Sequence, residues 1–256
     1  MRKPLWLLAL MACLLVGAAS AQEATKVAPQ AYKLEFENEW VKVTRVHYGP
    51  NEKLPEHYHA ESAAAYVYLN DSGPVSFKHI NLPYGNVIRK ETKTGSFRLY
   101  KEVKEVHAVE NLSATPSDFL RVEFKTEVVN PNSLRGKYYR EDYPAGENFT
   151  KVQFENEQLR VIRLVIAPHA KMDVSTKATE PALLVALTPM QLKTQALKGK
   201  PAPLNLATGK SHWLKINQPQ QWENTGENAA EFLRFEFKTK PIKTQAKSGE
   251  TEHKHE

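Results

Sequence analysis

Phe119-Leu120-Arg121-Val122-Glu123-Phe124-Lys125-Thr126 recurs 113 residues later as Phe232-Leu233-Arg234-Phe235-Glu236-Phe237-Lys238-Thr239. Upstream, Phe36-Glu37-Asn38-Glu39 returns as Phe154-Glu155-Asn156-Glu157 at an offset of 118, and Val43-Thr44-Arg45-Val46 returns as Val161-Ile162-Arg163-Leu164 at the same offset. Landmarks repeated in the same order and at nearly the same spacing define a duplicated domain. The copies run over 31–127 and 148–240, the second being five residues shorter between its landmarks.

Inside each copy the segments are short and alternate. Leu120, Val122 and Phe124 share one face while Arg121 and Glu123 share the other; Val41, Val43 and Arg45 oppose Lys42, Thr44 and Val46. This is the period of half-buried strands. Turn-forming clusters such as Gly49-Pro50-Asn51, Asn70-Asp71-Ser72-Gly73 and Thr225-Gly226-Glu227-Asn228 separate them. Units of ~90 residues built from many short strands predict an all-β sandwich, barrel or jelly roll. Residues 128–147, with Tyr138, Tyr139 and Tyr143, read as a linker that packs on a surface, and the polar residues 241–256 as a disordered tail.

Arg2 and Lys3 precede an apolar run from Leu5 to Val16, followed by small residues ending in Ala19-Ser20-Ala21 and then polar Gln22. That is the three-part pattern of a secretory signal peptide over 1–21, so a periplasmic or secreted protein is expected. Leu5 to Ala21 is 17 residues, short of the ~20 of a spanning helix, so no stable membrane insertion is expected after processing. The formal charge of +6 includes Arg2 and Lys3. What remains is dispersed without a basic block, which argues against nucleic acid as a partner. Cys13, the single cysteine, falls in the leader, so the mature chain has neither disulfide nor thiolate chemistry.

His57-Tyr58-His59 is the strongest chemical signal. On a strand, an i, i+2 pair aims both imidazoles at one face, as two ligands of one cation require. His107 precedes the closing strand of the same copy and can bring a third nitrogen into the same barrel.

With Gly49-Pro50 ahead of Pro55-Glu56-His57-Tyr58-His59, and with His107-Ala108-Val109-Glu110-Asn111 further on, the sequence resembles the cupin superfamily. That family's first motif is Gly, a short gap, His-x-His, three or four residues, then Glu; its second ends in His-x-x-x-Asn. Two copies resemble the bicupin arrangement. The resemblance implies two tandem double-stranded β-helix (jelly-roll) barrels. It also implies one divalent metal ion (Fe, Zn, Mn, Ni or Cu) on His57, His59 and His107, a small-molecule ligand or substrate, and a possible homo-oligomer. Ala63 and Ala64 stand where the family glutamate falls, the gap from Gly49 to His57 is two residues longer than usual, and Glu102-Val103-Lys104 replaces Pro-x-Gly. Three histidines without a carboxylate resemble the metal site of the thiol dioxygenases in this superfamily and suffice for zinc or iron(II). Glu61 continues the i, i+2 series as a fourth ligand, ranked below water.

Tyr66 and Tyr68 share the parity of Ala64 and are expected inside the barrel. His47, His79, His169 and His212 lack comparable partners and read as surface or satisfied core histidines, and Trp40, Trp213 and Trp222 as core anchors. In the second copy Ser175, Lys177 and Gln220 stand at the places of His57, His59 and His107, whereas Asn224 matches Asn111. This copy is expected to hold no metal and to serve folding, dimerisation or ligand enclosure. Two functions remain open: a metal-dependent small-molecule enzyme of oxygenase, isomerase or hydrolase type, or a non-catalytic ligand-binding or oligomeric scaffold. Fold alone does not choose between them.

Overall fold

The computed structural model describes residues 22–101, 103–174, 180–196, 200–215 and 221–242. The leader, the residues from 243 onward, and Ser175, Lys177 and Gln220 lie outside the described residues. The first half contributes β1 (Gln22–Glu23), β2 (Tyr32–Glu37), β3 (Val41–Tyr48), β4 (Lys53–His59), β5 (Ala63–Tyr68), β6 (Val75–His79), β7 (Asn86–Arg89), β8 (Phe97–Lys101), β9 (Glu105–Asn111) and β10 (Ser117–Phe124). The connecting segment contributes β11 (Gly136–Tyr138), and the second half contributes β12 (Phe149–Glu155), β13 (Leu159–Ile166), β14 (Lys171–Asp173), β15 (Ala182–Ala186), β16 (Met190–Gln195), β17 (Ala202–Leu206), β18 (Ser211–Leu214), β19 (Gln221–Asn224) and β20 (Ala230–Phe237). Helix among the described residues is confined to α1 (Ala24–Val27) and a 3-10 turn at Pro131–Ser133.

Each half closes two sheets on each other. The first has the orders β1-β4-β9-β6-β7 and β11-β8-β5-β10-β3-β2, and the second β12-β13-β20-β15-β18 and β14-β19-β16-β17. Neighbours distant in sequence, such as β4 with β9 and β5 with β10, are the crossover pairings of a jelly roll. The duplication extends to register. β10 sets Phe119 opposite Val46 and Tyr68, and β20 sets Phe232 opposite the matching Leu164 and Ala186.

Some strands, such as β9 and β16, alternate as half-buried strands should, but others do not. β5, β15 and β20 are buried along their whole length. The reason is the pairing of the copies: one face of each long sheet lines its own barrel, and the other packs on the other copy. Leu120, Val122 and Phe124 join Leu233, Phe235 and Phe237 in one apolar cluster between the halves, with Phe124 and Phe237 ring centroids 5.8 Å apart. Trp40 and Trp213 flank this seam at 6.0 Å. Arg163 lies fully buried in it, paired with Glu231 and donating to the Gly95 carbonyl of the first copy. Arg140 reaches Glu231 from the connecting segment. That segment is more than a tether: β11 adds to β8, and Tyr138 stacks on Phe97 at 4.7 Å.

Candidate metal centre

Register builds the site. Antiparallel pairing of β9 with β4 and with β6 places His57, His107 and His79 in one row across three strands, and the next row sets His59 opposite Glu105. Cross-strand partners project to one face, as do residues two apart on a strand, so all five side chains enter the first barrel. A register shift between Leu54 and His57 sets the phase of β4. β1 runs parallel to β4, with Gln22 opposite His57.

The rings of His57, His59 and His107 form a nearly equilateral triangle, with centroid separations of 5.0, 4.9 and 5.1 Å. One nitrogen of each lies within 4.8 Å of the others. Two nitrogens on one cation stand at most ~4.2 Å apart, so a small ring rotation closes the cage. Nδ1 of His57 lies 2.8 Å from the Pro55 carbonyl. A carbonyl only accepts, so Nδ1 carries the proton and Nε2 presents its lone pair, the arrangement that fixes a metal-binding tautomer. That lone pair accepts from the Tyr32 hydroxyl at 2.9 Å, which stands 2.9 Å from the Tyr48 hydroxyl.

Burial pushes the His57 imidazole down to about 4 and holds His59 well below the ordinary range. Burial lowers His107 too, and the nearby Arg121 guanidinium acts in the same direction on all three. Neutral imidazoles are the form a cation binds. His107 is buried; its Nε2 has no hydrogen-bond partner, and its Nδ1 has only the Glu105 carboxylate at 3.5 Å. An orphaned polar ring in a barrel is costly unless something occupies its lone pair, and a cation between three neutral imidazoles is chemically suited to do so.

His79 and Glu105 are the residues that sequence reasoning missed. The Glu105 carboxylate stands 3.5 Å from Nδ1 of His107 and 3.5 Å from Nε2 of His79, and the three groups converge closely enough to hold an ion themselves. Burial works to raise the Glu105 carboxyl, but His107 and His79 hold it below its usual value. His79 gives its Nδ1 proton to the Gly85 carbonyl at 3.0 Å, as a satisfied core histidine would, but its Nε2 faces Glu105, a partner that sequence spacing did not announce. A signal was available: Glu105-Val106-His107 mirrors the spacing of His57-Tyr58-His59. Glu61, the expected alternative ligand, is exposed and pairs with Lys101 at 3.2 Å, away from the converging groups.

Asn111 does not face the ring cluster. Its amide donates to the Gly49 and Thr115 carbonyls and its oxygen accepts from Ser113, clasping two loops. Asn224 repeats this with Ala167, Asn228 and Gly226. The matched asparagines therefore maintain the fold. Above the histidines opens a cavity of about 550 Å³, lined among others by His59, His107, Tyr66 and Tyr68. The two tyrosines point inward, as their parity predicts.

No known sequence family and no curated protein matches the chain. Solved structures do match in fold. AerE of Microcystis aeruginosa is 10% identical with a TM-score of 0.54, over 81% of this chain and 97% of its own. Oxalate decarboxylase of Bacillus subtilis, a protein with Mn(II) centres, is 12% identical with a TM-score of 0.54, over 79% and 70%. Salicylate 1,2-dioxygenase of Pseudoaminobacter salicylatoxidans, solved as adducts with gentisate, is 12% identical with a TM-score of 0.52, over 78% and 69%. Such likeness spans both barrels, and together with the repeated register it shows that the chain has the two-barrel cupin fold.

Proposed function

We propose that the first barrel holds one divalent cation on His57, His59 and His107, and that the cavity above it receives a small molecule bound next to that cation. The observation that carries this reading is His107, a buried ring at the corner of a three-imidazole triangle whose Nε2 has no hydrogen-bond partner and whose Nδ1 has only the Glu105 carboxylate at 3.5 Å. A cation held by three protein nitrogens keeps an open position, where it supplies Lewis acidity to a bound substrate, water or dioxygen.

The chain's own groups prepare that position. Pro55 and Glu105 orient the rings of His57 and His107. The Tyr32 hydroxyl occupies the His57 lone pair and has to release it when the cation enters. Among the described residues the second barrel offers no comparable histidine cluster, which leaves it the roles of fold partner and enclosure. Export to the periplasm or beyond is part of the proposal and rests on residues 1–21; N-terminal sequencing that found residues 1–21 retained would refute it.

Elemental analysis tests the metal. In full-length protein with His253→Ala and His255→Ala, which removes the adventitious tail pair, one ion per chain is expected. His57→Ala or His107→Ala should lower affinity by ~100-fold or more, since two imidazoles remain. Metal content unchanged in both variants would rule the site out.

A further inference from the structure

We propose that the cavity of the first barrel carries a carboxylate-binding subsite formed by Arg89 and Arg98, so that its ligand is a small organic carboxylate with an apolar or aromatic body. The proposal rests on the preceding reading only in placing this ligand beside the cation; the anion site stands on its own residues.

Both guanidiniums line the cavity, and neither has a carboxylate partner among the described residues. Their Nε atoms are buried without hydrogen bonds. Arg98 lies over the Tyr66 ring at 4.3 Å and Arg89 over Tyr68 at 5.3 Å, on rings two residues apart on β5 and thus roughly 7 Å apart along the strand. Nη2 of Arg89 donates to Ser117 Oγ at 2.8 Å, and the Tyr68 phenol, a neutral group, is its other polar neighbour. Other charges at the cavity are accounted for. Arg121 has Glu123 at 3.0 Å, Glu105 faces two histidines, and Lys90, Glu91 and Lys137 are exposed.

Partly buried cations without counter-charge are unfavourable unless a ligand supplies the anion. A guanidinium presents a planar fork that matches a carboxylate in two parallel hydrogen bonds. The remaining walls, with Val46, Phe77, Phe119 and the tyrosine rings, suit an apolar body. The second copy provides the control. Val75 and Leu192 both stand opposite the matched asparagines, so Leu204 occupies the place of Arg89. Tyr66 and Leu184 both stand opposite the matched arginines, so His212 occupies the place of Arg98. The fold therefore does not require a cation at either position.

Benzoate is the probe, with benzamide as its neutral counterpart, titrated calorimetrically into full-length protein with and without a chelator. Benzoate should bind at least tenfold more tightly than benzamide, and Arg89→Met or Arg98→Met should each erase most of that preference while leaving metal content unchanged. Equal binding of the two probes, unaltered preference in both variants, or competition by inorganic phosphate as strong as by benzoate would overturn the assignment. If a variant does not fold, the benzoate-to-benzamide ratio on the unmutated chain still decides. Arginine-dependent benzoate binding by a chain that holds no metal would refute the metal reading and leave this one standing.

Discussion

The two barrels share strands, register and loop clasps, yet one is hollow and the other is full. Where the first copy turns Tyr48, Tyr66 and Tyr68 inward, the matching residues of the second are Ile166, Leu184 and Ala186. Val109 is answered by Trp222, which is fully buried against Phe232 at 5.4 Å. Met190, Leu192 and Leu204 complete a dry interior. The contrast separates residues that both copies keep for the fold from residues that only one copy has. Asn111 and Asn224, the Phe-Leu-Arg strands and the seam recur in both copies. The row of histidines, Glu105, Arg89, Arg98 and the inward tyrosines are confined to one among the described residues.

The largest break of this comparison comes from emptying the full barrel. Trp222→Ala should cost about 3–5 kcal/mol, because a packed interior relaxes only partly around a lost large ring. Tyr68→Ala, at the edge of an existing cavity, should cost less than half as much, with both read from denaturant midpoints. Equal losses would mean that the first cavity is closed in solution. At the next level the copies should agree: Asn111→Ala and Asn224→Ala each leave buried loop carbonyls unpaired and should each cost about 1–3 kcal/mol. A large disagreement would show that one clasp has a duty beyond its loops.

Glu105→Gln probes the hollow copy alone. It removes the carboxylate beside His107 and should weaken the cation roughly tenfold, in the usual range for a group that orients a ligand, without changing stability of the metal-free chain by more than about 1 kcal/mol. Competition with a fluorescent zinc chelator measures it. If binding vanishes altogether, Glu105 is itself a ligand. A separate test of the hollow copy is the effect of pH on the metal-free protein. His57 titrates near 4 when folded and near ~6.5 when unfolded. Between those values the unfolded chain binds more protons, so stability is fully present above that window and is lost as pH falls through it. A melting temperature that stays flat from pH 7 to pH 4.5 would contradict the burial of this ring.

The fold was largely legible because two signals reinforced each other, a period of two within segments and a repeat across them. The alternation alone was misleading about exposure. It marks which residues share a face, while the burial of both faces of β5 and β20 depends on a partner sheet that no single strand announces. The convergence of His57, His59 and His107 was legible because spacing on a strand and motif order both pointed to it. His79 and Glu105 join only through the pairing of β9 with β6 and β4. Arg89 and Arg98 look like ordinary surface arginines in sequence, since their meaning lies in having no acid nearby once β7 and β8 are in place.

The seam between the barrels has a consequence for origins. Its residues come in matched pairs: Val41 with Leu159, Val43 with Val161, Ala65 with Leu183, Val67 with Val185, Leu120 with Leu233 and Phe124 with Phe237. A surface that meets its own counterpart in this way is isologous, the kind of contact that a two-fold symmetric dimer makes. Such a face is already complementary to itself before any duplication, so fusing two genes would create no new interface to be optimised. Fusion of a single-copy homodimer with two equivalent barrels would leave this pattern. Once tethered, the partners could diverge separately, and one could fill with leucine and tryptophan while the other stayed open.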